Sequence, residues 1–154
     1  MKLKNHLLVV TELDRSLAFY REVLGLRKRM DFGVHVTLTG GLCLQTRESW
    51  AKMIEVFPNE LDWCGKVSEL YFETEDFDGF MEKLNHLEVH EVHEEREQRW
   101  GQRVVRFYDP DCHIIEVGET MKTVCRRFLN SGLTPEQVAA RMEVPMKFVK
   151  SCIR

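Results

Sequence analysis

The sequence predicts an α+β protein made of two βαβββ modules followed by a helical tail, and three observations carry that reading. The first is an internal repeat. Asn5 to Asp14 (NHLLVVTELD) returns as Glu69 to Asp78 (ELYFETEDFD), and GLCLQT ending at Thr46 returns as CHIIEV ending at Val117. Self-similarity of this kind marks two copies of one supersecondary unit. The second observation is that each copy runs through an apolar strand, an acidic cap, a helix-period segment and short closing strands in the same order. The third is the change to helical period after Glu119, which leaves residues 120–154 outside both copies.

In the first copy, Leu3 to Val10 reads as a strand. Leu13 to Leu24 reads as a helix whose apolar stripe is Leu13, Leu17, Tyr20 and Leu24, closed by Gly25 as a C-terminal cap. Leu26 to Phe32, Val34 to Leu38 and Leu42 to Thr46 form a meander, broken at Gly33 and at the hairpin signal Gly40-Gly41. A short helix around Ser49 to Val56 and the turn Pro58-Asn59 connect the modules, which span about 1–46 and 67–119. The second copy has a strand from Ser68 to Thr74, a helix near Asp76 to Leu87 and a strand from Glu88 to His93. Glu94 to Gly101 is expected to be a mobile loop. Gln102 to Tyr108 and Cys112 to Gly118 then form a hairpin about Asp109-Pro110-Asp111, where proline presets the turn and the aspartates bond locally. The tail holds a helix from Lys122 to Asn130, a capped start at Thr134-Pro135-Glu136-Gln137, and two short helices separated at Val144-Pro145.

With 154 residues, 44% of them hydrophobic and 31% charged, the chain has the composition of a globular protein that folds without staples. A net charge of -3 argues against a protein that coats nucleic acid. No apolar run approaches the roughly 18 residues of a membrane span, and no membrane partner is expected; the chain reads as cytoplasmic. Five dispersed cysteines without a C-x-x-C pair support neither a disulfide framework nor a zinc knuckle.

HLLVVTELDRSLAFYREVLGL, together with RVVRFYDPDCHIIEVGE, resembles the vicinal oxygen chelate superfamily, which includes glyoxalase I, extradiol dioxygenases, and fosfomycin and bleomycin resistance proteins. The resemblance covers about residues 2–119. It implies paired modules curled into a cupped mixed sheet that holds a small-molecule ligand, often with a divalent metal, and commonly in a homodimer. In metal-dependent relatives the ligands come from the first and last strands of each module, which by resemblance means Asn5, Gln45, Glu69 and Glu116. The family commonly has histidine at the first-strand positions, where this chain has Asn5 and Glu69.

A metal set drawn from Gln45, Glu69 and Glu116 is all oxygen and suits Mg²⁺ or Mn²⁺ better than zinc, with Ni²⁺ a further ion to test. The alternative is a metal-free pocket lined by the same polar residues, as in the bleomycin-resistance branch. Glu116, with Glu69, is the candidate catalytic carboxylate, since a carboxylate in a partly apolar sheet can abstract a proton beside a carbonyl. An ion pair of Glu116 with Arg103 or Arg106 is the competing reading. Asn5, Gln45, Trp100 and Arg103 are the expected ligand-binding residues, Trp100 as an aromatic lid. Trp50 and Trp63 read equally as packing. His86, His90 and His93 read as a solvated charged edge, not a metal site.

Within the tail, TPEQVAARMEVPMKFVKSCIR resembles a helix-turn-helix in the placing of Ala139, Val144 and Val149, with Glu143 where that motif takes its turn glycine. Arg126, Arg127, Arg141, Lys147, Lys150 and Arg154 make the tail basic. Packing against the body or a second subunit is favoured over contact with nucleic acid. Three functions follow: a ligand-sequestering binding protein, a metal-dependent lyase or isomerase of glyoxalase type, and a regulator that uses the tail on nucleic acid.

Overall fold

A computed structural model describes residues 5–62 and 66–153, so Trp63 and Cys64 lie outside the described residues. The fold is α+β, and its described residues form two compact units. One comprises 1–68 with 108–113, the other 69–107 with 114–154.

The first unit contains β1 (His6–Val10), α1 (Leu13–Glu22), β2 (Lys28–Asp31), β3 (His35–Leu38), β4 (Leu42–Thr46) and α2 (Arg47–Met53). Its sheet order is β1-β4-β3-β2, with β1 parallel to β4 and the other pairs antiparallel. The expected βαβββ order is present. The buried face of α1 differs from the expected stripe: Ser16 and Tyr20 are buried, with Val23 just beyond the helix, whereas Leu13, Leu17 and Leu24 are only half-buried. Polar anchors explain the rotation. The Tyr20 hydroxyl donates to Asp109 Oδ2 at 2.8 Å and the Ser16 hydroxyl to Asp111 Oδ2 at 3.2 Å, so the 108–113 turn takes the face that apolar periodicity alone assigned elsewhere. Burial and the Asp109 carboxylate push the Tyr20 phenol well above its ordinary pKa.

The second unit contains β5 (Glu69–Thr74), α3 (Phe77–Asn85), β6 (Glu91–Glu97), β7 (Arg103–Tyr108) and β8 (Ile114–Glu119). Three helices follow: α4 (Met121–Asn130), α5 (Pro135–Met142) and α6 (Met146–Cys152). Its sheet order, β5-β8-β7-β6, repeats that of the first. The segment read as a mobile loop is half strand. β6 continues to Glu97 because Arg96 and Glu97 pair with Val104 and Arg103 across the antiparallel ladder, leaving only a short turn before β7. Polar residues on both faces hid this strand from a hydrophobic pattern.

The tail helices enclose their own core of Val124, Cys125, Val138, Met142, Val149 and Cys152. Cys125 is fully buried in this core, and that burial, with Cys152 alongside, pushes its thiol up to about 12. α4 is fastened to the β6–β7 turn: Arg127 pairs with Glu97 and Glu119, bonds the Gly101 carbonyl, and stacks on Phe128.

Candidate functional site

Two strands of the second sheet bring the predicted carboxylates together. Along β5, Glu69, Tyr71 and Glu73 are exposed and alternate with half-buried Leu70, Phe72 and Thr74, as period two requires. The parallel register places Glu69 beside Ile114 and Tyr71 beside Glu116, so Glu69 and Glu116 share one face.

Arg106 of β7 projects between them. Its Nε donates to Glu69 Oε2 at 2.9 Å and its Nη2 pairs with Glu116 Oε2. Its Nη1 donates to His93 Nε2 at 3.3 Å, from the residue directly opposite on β6. His93 Nδ1 donates to the Glu94 carbonyl at 2.7 Å, which leaves Nε2 as the acceptor that Arg106 requires. The Glu116 side chain is only 9% exposed and that of Glu69 is 39% exposed, so one carboxylate is held inside and the other meets solvent.

A second polar chain adjoins the carboxylates. Trp100 Nε1 donates to Gln102 Oε1 at 3.0 Å, Gln102 Nε2 donates to the Tyr71 hydroxyl at 2.7 Å, and that hydroxyl donates to Glu73 at 3.0 Å. Burial raises the Tyr71 pKa; the Gln102 donor works against this and Glu73 adds to it. Trp100 is half-buried here and shares this network with Tyr71.

Arg103 stands apart from both chains. It pairs with Asp78 at 2.7 Å and with the fully buried Glu119 at 3.0 Å, and it stacks on Phe77. Burial of Glu119 favours its neutral form, but Arg103 and Arg127 outweigh this and hold its pKa below the ordinary carboxylate value.

In the first unit, Gln45 of β4 is buried opposite Val9 and His35. Its Oε1 accepts from His35 Nδ1 at 2.6 Å, and its Nε2 donates to the Ser49 hydroxyl of α2. Asn5 precedes β1 and is exposed. Trp50 lines a cleft of 380 Å³ along β1 with His6, Asp62, Cys112 and His113.

These residues do not fit a divalent metal. Glu69 and Glu116 already share a guanidinium, and the Gln45 oxygen is taken by His35. Among the described residues, no group of three or more His, Cys, Asp and Glu side chains could hold a metal ion. The sequence marks Arg106 only as an ion-pair partner and does not single out Tyr71, Gln102 or His35. Period two from Glu69 to Tyr71 was the available signal; the cross-strand partners required the register.

The glyoxalase-like domain family matches residues 3–122. The chain belongs to that family. Among solved structures, this glyoxalase-like chain is similar to a protein of unknown function from Agrobacterium tumefaciens str. C58, at 35% identity and TM-score 0.70, over 79% of this chain and 95% of the other. A lactoylglutathione lyase from Agrobacterium tumefaciens shares the fold at 22% identity and TM-score 0.58, over 77% of this chain and 93% of that one. Among curated proteins, YraH of Bacillus subtilis (strain 168), itself uncharacterized, is 28% identical over 128 residues, 76% of this chain and 97% of its own length. The glyoxalase-like match and the two βαβββ modules agree with the fold that the repeat predicted.

Proposed function

We propose that this glyoxalase-like chain binds a small molecule on the open face of its second sheet and does so without a resident divalent metal. The observation that carries the reading is the triple engagement of Arg106 by Glu69, Glu116 and His93. A guanidinium supplies in a fixed fork the positive charge that carboxylates at these positions otherwise demand from a metal. Around it the face offers a phenol, an amide and an indole: Tyr71, Gln102 and Trp100. Few polar groups set against aromatic surface are what a small-molecule site uses to fix a ligand's orientation.

The lyase reading needs a carboxylate free to take a proton. Glu116 instead faces Arg106, and it acts here as an anchor of the site. Asn5 and Gln45 belong to the proposal as polar residues of the first module, and Arg103 as a support held by Asp78 and Glu119.

A homodimer is part of the proposal. Met30, Phe32 and Val34 expose large apolar side chains on and beside the edge strand β2, at 52%, 67% and 49%. Exposed apolar clusters of this kind mark protein contacts. No helix among the described residues is long and apolar enough to cross a membrane; we place the protein in the cytoplasm.

The test is calorimetric titration of the chelator-treated protein with bleomycin and with S-lactoylglutathione, repeated with added Mn²⁺. Saturable binding in chelator, weakened about tenfold or more in Tyr71→Phe or Arg106→Gln, supports the proposal; that change corresponds to roughly 1.4 kcal/mol. Binding that appears only with Mn²⁺ contradicts it.

A further inference from the structure

The family match ends at residue 122, yet the three tail helices are an ordered body with a core of their own. Charge divides at the same place. Residues 120–154 hold seven Lys and Arg against two Glu, a net charge of +5, so the rest of the chain carries -8 of the overall -3.

α5 opens on a capping box: the Thr134 hydroxyl accepts from the Gln137 N–H, and the Gln137 side chain accepts from the Thr134 N–H, with Pro135 at the first turn. α5 ends at Glu143, whose backbone is left-handed at φ 55° and ψ 40°. That conformation is what a turn glycine supplies between two helices. Glu143 adopts it without glycine, and its carboxylate is held by Arg99 at 2.8 Å. The turn therefore delivers α6 against Val138 and Met142 through buried Val149 and Cys152, with Val144 packed at the corner.

The opposite face of α6 carries Lys147, Lys150 and Ser151, all exposed. The basic residues divide by role. Arg127 and Arg141 are engaged by Glu97, whereas the lysines of α6 point away from the core that its apolar residues fill.

We infer that the α5–turn–α6 unit is a duplex-DNA-binding surface, with the Lys147, Lys150 and Ser151 face of α6 set against the groove and its flanking phosphates. Three packed helices, the left-handed turn and a basic outer face on the last helix fit the mode in which a second helix of such a pair enters the major groove. The positive charge that phosphates would meet is concentrated in residues 120–154, while the rest of the chain is net negative.

The experiment is fluorescence anisotropy of the full chain with a labelled mixed-sequence duplex about two helical turns long. It is repeated with a single strand of the same length, from about 50 to about 200 mM salt. The inference predicts duplex affinity in the non-specific range, with Kd about 10⁻⁴ to 10⁻⁶ M near physiological salt. Lys147→Gln/Lys150→Gln weakens it about tenfold or more and lowers the salt slope by about 2. Lys52→Gln, an exposed charge on α2, leaves it unchanged. No binding at the lowest salt, equal affinity for the single strand, or a double variant that binds like wild type overturns the inference.

Discussion

Arg106 on β7 is ion-paired with Glu116 on β8, and the same guanidinium reaches Glu69 on β5 at 2.9 Å. One arginine thus serves the first-strand and last-strand carboxylates of the second module. Because Glu116 is almost wholly buried, removing its partner strands a charge, whereas losing Glu69 mainly exposes an ion pair to solvent.

Arg106→Gln is therefore expected to destabilise the protein by about 1–3 kcal/mol. The loss is smaller when Glu116→Gln is added, because the neutral amide needs no counter-charge. Denaturant titration of the two variants checks the order.

Gly101 is constrained twice. Its φ is +88°, and a Cβ there would meet the Phe128 ring at 2.3 Å. Gly101→Ala is expected to cost about 1–3 kcal/mol, combining overpacking with backbone strain. Thermal melting measures the loss, and proteolysis should cut first in the turn between Glu97 and Arg103 that packs on α4.

The repeat carried the topology because both copies keep the same order of strands and helix, although only the second keeps a side-chain cap: Asp76 caps α3 by accepting from Gly79, whereas Glu12 stands before α1 without a capping hydrogen bond. The repeat also located Glu69 and Glu116 on strands that are neighbours. It did not carry the partners of those residues. Arg106 and His93 meet only because β6 and β7 pair with an irregular register, and cross-strand register between separate segments is not written in local periodicity. α1 shows the same limit, since Asp109 and Asp111 decide which face is buried from 89 and 95 residues away.

Acid should loosen the second unit through Glu119. Its folded pKa lies below the ordinary 4.5, so its contribution is complete above that value and is lost as pH falls through the folded pKa. Exposed Asp78, also lowered by Arg103, acts in the same direction. The melting temperature is expected to drop as pH falls below about 4.5, and to drop less steeply in Glu119→Gln, which starts from a lower stability.

Phe32, 67% exposed beside β2, is the first residue to change in testing self-association. Phe32→Asp is expected to convert a dimer to a monomer in multi-angle light scattering without lowering the melting temperature of the monomeric fold.

Whether Arg106 stands where a divalent ion would otherwise be required is decided by titrating Mn²⁺ into metal-free wild type, Arg106→Gln and Glu116→Gln, followed by electron paramagnetic resonance. No stoichiometric binding to wild type is expected at millimolar Mn²⁺, and measurable binding is expected in Arg106→Gln, where Glu69 and Glu116 are released. One tightly bound Mn²⁺ in wild type that disappears in Glu116→Gln would contradict that role of Arg106.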